Sequence, residues 1–101
     1  MNRMRPVHPG EVLREEYLEP LGLSSRALAA ELGVPARRIS GIVSGTRGVS
    51  ADTALRLARY FGTTAVFWMK LQMMFELPSA EIAVGAEIER TVKPRDSGRA
   101  G

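Results

Sequence analysis

The chain reads as an all-α protein, a domain of five to six helices, and three observations predict it. Gly, Pro and Ser/Thr residues punctuate the 101 residues into about six segments. Within those segments apolar residues return at three- and four-residue spacing rather than alternating. Hydrophobic residues make up 45% of the chain and cysteine is absent, so packing alone must hold one compact domain together.

The first helix is expected over about 9–19. Pro9 suits a first turn, where its missing N–H is not needed, and Glu11 complements the positive helix end. Val12, Leu13, Tyr17 and Leu18 form its apolar stripe, and Pro20 is expected to stop it. His8, just ahead, reads as a structural residue at the helix start, because catalysis or metal binding would need partners that the sequence does not supply. The second helix opens at Ser24 as N-cap, with Leu23 and Leu28 placed as a hydrophobic staple. It buries Leu28, Ala29 and Leu32 and ends at Gly33. A third helix starts near Pro35 and turns Ile39, Ile42 and Val43 inward, which leaves Ala36, Arg37, Arg38, Ser40, Gly41 and Ser44 for its outer surface before Gly45 closes it. The fourth starts at the cap Ser50 with Asp52 in its first turn, and is expected to bury Ala54, Leu55, Ala58 and Phe61 before Gly62.

The fifth helix, about 64–77, has almost no polar face, and one small domain cannot bury all of it. Phe67 and Leu71 are assigned to the core. Trp68, Met69, Met73 and Met74, with Val84 and Ile88 beyond, form the expected dimer or partner surface, since aromatic and Met residues at helical spacing line cores and interfaces far more often than ligand pockets. Pro78 is expected to end this helix. After it, Val84, Ile88 and Val92 recur at helical spacing, while the alternation Ile82, Val84, Ala86, Ile88 fits a strand equally well, so the segment stays open between helix and strand. The folded domain is thus expected over 7–92, and the polar, breaker-rich 93–101 as a disordered tail.

Charge is distributed unevenly. The net charge is only +3, but from Ser24 to Ser50 the charged residues are Arg26, Arg37, Arg38 and Arg47 against Glu31 alone. A single histidine and no cysteine remove disulfide frameworks, thiolate metal sites and cysteine nucleophiles. No paired titratable groups, phosphate loop or metal-ligand spacing is present, so neither an enzyme nor a cofactor or metal is expected. No run of ~18 apolar residues offers a membrane span, and the charged start lacks a signal-peptide core, so the expected location is the cytoplasm.

Two short helices crossing steeply need a small residue at their contact, a turn former between them and apolar anchors on the second. Residues 25–44 supply all three: Ala29, then Gly33 with Val34, then Ile39 and Ile42. This spacing predicts a helix-turn-helix. On its outer face Arg37 could pair bidentately with guanine, Arg38 is expected on phosphate, and Ser40 on a base edge or phosphate. Pro35, Ala36 and Ser44 complete that surface. Gly41 within the helix suggests that something must approach the backbone there, with DNA the candidate. Ser25 and Arg26, at a positive helix end, form a phosphate clamp, and Thr46 and Arg47 would touch the backbone from the other side or simply form a polar loop.

The run Ser25-Arg26-Ala27-Leu28-Ala29-Ala30-Glu31-Leu32-Gly33-Val34-Pro35-Ala36-Arg37-Arg38-Ile39-Ser40-Gly41-Ile42-Val43-Ser44-Gly45 resembles the helix-turn-helix of the phage-repressor and Cro-like family, which implies a λ-repressor-like fold. His8-Pro9-Gly10-Glu11, Leu18-Glu19-Pro20-Leu21-Gly22-Leu23, Ala51-Asp52-Thr53-Ala54-Leu55-Arg56-Leu57-Ala58 and Phe67-Trp68 resemble the HigA-type antitoxin subfamily, over roughly 7–77. The resemblance implies a repressor that binds its operator DNA as a homodimer and neutralises a HigB-type toxin that cleaves messenger RNA. It departs from many relatives in carrying Ala36, Arg37, Arg38, Ser40 and Gly41 where Gln or Asn is common, so the operator sequence is not readable here. A stand-alone regulator and an interaction module that has lost DNA binding are the alternatives.

Overall fold

The computed structural model describes residues 5–95, and all regular structure there is helical. Lys93 to Arg95 have no regular structure, and the rest of the expected tail, 96–101, lies outside the described residues.

Helix α1 covers 9–21 in three stretches: an α-helical Pro9–Val12, a wider π-helical Leu13–Leu18 and a last turn, Glu19–Leu21. His8 caps it, its Nδ1 accepting the Gly10 N–H at 2.8 Å. Pro20 does not stop this helix. Just before it the Glu19 N–H bonds five residues back, to the Arg14 carbonyl, and the wider π turns give the proline ring the room that a regular α-helix denies it. The stop is Gly22, at φ 63°.

Helices α2 (Ser25–Leu32), α3 (Ala36–Ser44) and α4 (Ala51–Phe61) follow the expected boundaries. Ser24 accepts from the Ala27 N–H and Ser50 from the Thr53 N–H, so each side chain satisfies a donor that the first turn leaves free. One expectation for α4 fails: Leu55 is 62% exposed, and Leu57 is buried instead. The inward line of α4 runs through Thr53, Ala54, Leu57 and Phe61, and Leu55 falls off it by about one residue's rotation, ~100°.

Helix α5 is one element, Ala65–Thr91. Pro78 therefore does not end it, and the segment left open between helix and strand is helix. Pro78 forfeits its own backbone bond to the Met74 carbonyl and the helix continues past it, with the Ser79 hydroxyl donating to the Phe75 carbonyl at 2.6 Å in the next turn. At ~1.5 Å per residue its 27 residues reach about 40 Å, which stretches the molecule to 54 × 27 × 23 Å.

The core joins Leu13 and Leu18 of α1, Leu28 and Leu32 of α2, Ile39 and Ile42 of α3, Ala54 and Leu57 of α4, and Trp68 of α5. Each fully buried Leu or Ile contributes roughly 1.5–3 kcal/mol relative to exposure. Trp68, expected at an interface, is fully buried: its Nε1–H donates to the Thr63 hydroxyl at 2.8 Å and its ring lies 5.2 Å from that of Tyr17. A buried indole needs such a partner, and Thr63 in the α4–α5 turn provides it. Phe67, expected inside, instead stays at the rim with its edge on Trp68, while Leu71 packs against the core as expected.

Candidate nucleic-acid interface

The turn between α2 and α3 is built as its residues require. Gly33 takes the left-handed conformation, at φ 71°. The Val34 N–H then reaches back to the Ala29 carbonyl at 3.0 Å, and Ala29 itself is buried where the helices meet. Ile39 and Ile42 sit at zero exposure, so the opposite face of α3 must point to solvent. There Ala36, Arg37, Ser40 and Ser44 are exposed, behind Pro35, whose extended backbone starts the helix. At the ends of this face lie Ser25 and Arg26, which open α2, and Thr46 and Arg47 in the loop after α3. Among the described residues Arg26, Arg37 and Arg47 make no ion pair, so this face presents three unengaged cations.

Arg38 is different. Its Nη1 donates to Asp52 Oδ1 at 2.8 Å, and the same oxygen accepts from Arg56 Nε at 2.7 Å. Arg56 in turn donates from Nη1 to the Leu32 carbonyl at 2.8 Å. One carboxylate thus ties α3 to α4, and Arg56 ties α4 to the end of α2. Hydrogen bonds from Arg56 and then Arg38 hold the Asp52 carboxyl below its ordinary range. Arg38, expected on phosphate, is engaged inside the protein through Nη1, with its side chain still partly exposed.

Gly41 also has an internal explanation. Its carbonyl accepts the N–H groups of Thr46 and Arg47, at 2.9 and 3.1 Å, and a Cβ on it would lie 3.2 Å from the Cβ of Arg47. The following loop approaches the helix at Gly41, which gives this glycine a reason within the protein beside the expected approach of DNA.

Three residues that hold this face escape a reading of spacing alone. A Cβ on Gly10 would collide with the Ile42 carbonyl, so α1 packs directly on α3 only because that side chain is missing. Gln72 of α5 is buried and its Oε1 accepts the Val49 N–H at 2.7 Å. His8 is nearly buried with its ring 4.7 Å from that of Phe75, and burial pushes its imidazole below the ordinary value, against an opposing hydrogen bond that the ring donates to the Arg47 backbone. A polar side chain set between Leu71 and Met73 was the one available signal for Gln72.

The other expected surface lies on α5. Met69, Met73, Val84 and Ile88 are exposed, with Leu77 among them, and the five fall within about 100° around the helix. Met69, Met73 and Leu77 line a groove of about 470 Å³. Met74 is exposed too but lines a different groove, with Val7, Pro78 and Ile82. No helix among the described residues is long and apolar enough to cross a membrane.

Fold and face together define a helix-turn-helix protein, and the helix-turn-helix family model matches residues 15–68. Virulence-associated protein I of Dichelobacter nodosus is 55% identical over 80 residues, 79% of this chain and 74% of the relative. Antitoxin HigA-1 of Vibrio cholerae is 41% identical over 76 residues, 74% of this chain and 70% of the relative. Among solved structures, the Pseudomonas aeruginosa antitoxin HigA with higBA promoter superposes at a TM-score of 0.85 with 49% identity, covering 89% of this chain and 98% of that one. The chain belongs to the HigA antitoxin family of helix-turn-helix proteins.

Proposed function

We propose that this protein is an operator-binding repressor and antitoxin, acting in the cytoplasm, that binds the promoter of its own operon as a homodimer and neutralises a HigB-type toxin. The observation that carries the DNA-binding half is the outward face of α3, where Arg37 and Ser40 stand exposed because Ile39 and Ile42 are fully buried behind them. With α3 in the major groove, Arg37 reads a guanine edge and Ser40 a base edge or phosphate, beside Ala36 and Ser44. Ser25, Arg26, Thr46 and Arg47 clamp phosphates on either side, using the free N–H groups that open α2. Arg38 serves by holding the recognition helix on Asp52.

Two-fold operators need two recognition helices about one DNA turn apart, ~34–36 Å, and a contact outside the helix-turn-helix must set that spacing. The apolar stripe Met69, Met73, Leu77, Val84 and Ile88 on α5 supplies one. The partnership with a toxin follows the family, whose Pseudomonas aeruginosa member is solved with higBA promoter.

Replacement of Arg37 by Ala tests the reading. Operator affinity should fall by about 1–3 kcal/mol while binding to a random duplex of the same length changes much less. An equal loss on both duplexes would remove Arg37 from base recognition, and no loss on either would remove α3 from the interface.

A further inference from the structure

Helix α5 also reaches the DNA-facing side of the molecule. Gln72 is one of only three buried polar or charged side chains among the described residues, and the other two, His8 and Thr53, belong to the helix starts of α1 and α4. An amide is costly to bury unless its hydrogen bonds are made, so an apolar residue would suit this position better if packing were its only task. Its Oε1 accepts the Val49 N–H at 2.7 Å. A Cβ on Gly48 would lie 2.7 Å from Gln72 Nε2 and 2.9 Å from Cδ, so the loop backbone rests directly on the amide.

The loop after α3 is therefore fixed at both ends. At its start the Gly41 carbonyl accepts the N–H groups of Thr46 and Arg47, and the Arg47 side chain runs along Gly41, with Cβ 3.2 Å and Cδ 3.7 Å from where a side chain there would begin. At its end Gln72 holds Gly48 and Val49 from a helix 23 residues further on. We propose that Gln72 is a positioning residue for DNA binding, which holds the 46–49 loop so that Arg47 and Thr46 meet the phosphate backbone beside the recognition helix. The proposal rests on the reading of Arg47 as a phosphate contact. It makes α5 a working part of the DNA-binding half as well as the association surface.

A double-mutant cycle on the full-length protein tests it, with operator affinity measured by fluorescence anisotropy over a salt series, alongside sedimentation and thermal melts. Gln72→Leu in the wild-type background should weaken operator binding about tenfold, the worth of one lost polar anchor, with the oligomeric state unchanged. The slope of log affinity against log salt should become shallower by about one per subunit, as one phosphate contact is lost. Gly48→Ala, which displaces the same amide from the loop side, should act in the same direction. In an Arg47→Ala background Gln72→Leu should add less than about twofold, because the contact it positions is already gone. A full tenfold loss in both backgrounds, or a loss with an unchanged salt slope, would make Gln72 a support of the fold only and overturn the proposal. If Arg47→Ala alone leaves operator affinity intact, the phosphate reading beneath the proposal fails, and the proposal fails with it.

Discussion

The helices up to Phe61 and the outer half of α5 use apolar residues in opposite ways. From Pro9 to Phe61 each helix turns most of its large apolar residues into the shared core, with Leu21 and Leu55 the exposed leucines, and leaves a polar outer face. Beyond Ser79, α5 has no core to face, yet it carries Ile82, Val84, Ile88 and Val92 at 42–73% exposure. In the first region apolar area is stability already realised on folding. In the second it is exposed apolar surface that only association can bury, because isolated soluble domains rarely leave so continuous a patch uncovered.

The largest expected effect breaks the second region while sparing the first. Val84→Glu should leave each subunit folded, since Val84 lies outside the core, with the melting temperature lowered only by the stabilisation that association supplies, and sedimentation should show a monomer. Operator affinity should then fall by a factor of about 10²–10⁴, the effective concentration lost when two linked half-sites are separated. A folded dimer with full affinity would remove the stripe from the subunit contact.

The converse substitution, Ile42→Ala, should destabilise the fold by about 2–5 kcal/mol, because the side chain is fully buried and its removal leaves a cavity between α1 and α3. Denaturant titration reads this directly, and a change below about 1 kcal/mol would mean the site collapses around the cavity. Met74→Glu sharpens the boundary within α5. Met74 lines the groove with Val7 and Ile82 rather than the Met69–Met73 groove, so this variant should remain a dimer on sedimentation where Val84→Glu does not.

The smallest effect is a pH dependence. Burial lowers the His8 pKa in the folded state, so the unfolded chain takes up a proton more readily. The stability that His8 contributes is therefore complete above its unfolded value of about 6.5 and declines as pH falls from there toward the folded pKa. Protonation would also remove the Nδ1 lone pair that accepts the Gly10 N–H. Melts from pH 7.5 to 5 should show this decline, and His8→Asn, which keeps a capping acceptor without titrating, should flatten it.

Boundaries set by glycine and serine were legible in the sequence because they act locally: Ser24 and Ser50 cap, and Gly33, Gly45 and Gly62 take the left-handed conformation that ends their helices, while Gly22, which ends the first helix in the same way, was passed over for Pro20. The two prolines were not. Pro20 and Pro78 look like stops, but a π stretch accommodates the first and the helix runs on through the second, which local sequence does not reveal. Periodicity found the inward face of α3 yet mistook Leu55 for Leu57 on α4, where apolar residues at 54, 55, 57 and 58 allow two faces. Trp68 was misplaced because the first turns of α5 carry apolar residues on most sides, at Val66, Phe67, Trp68, Met69, Leu71, Met73 and Met74, so spacing could not say which side meets the core. On the DNA-facing side, the exposure of Arg37 and Ser40 followed from Ile39 and Ile42. The engagement of Arg38 by Asp52, and the hold of Gln72 on Val49, join residues 14 and 23 apart and depend on tertiary placement.

The claim beneath all of this is that the arginine-bearing face of residues 25–47 binds the phosphate backbone of operator DNA. Its most direct test is the affinity of the wild-type protein for its own promoter DNA across a salt series. Arg26 and Arg47 of each subunit, four arginine–phosphate contacts in the dimer, predict that log affinity falls with log salt at a slope of roughly −4. A flat dependence over the same range would contradict the account, leaving the helix-turn-helix as a scaffold for protein contacts alone.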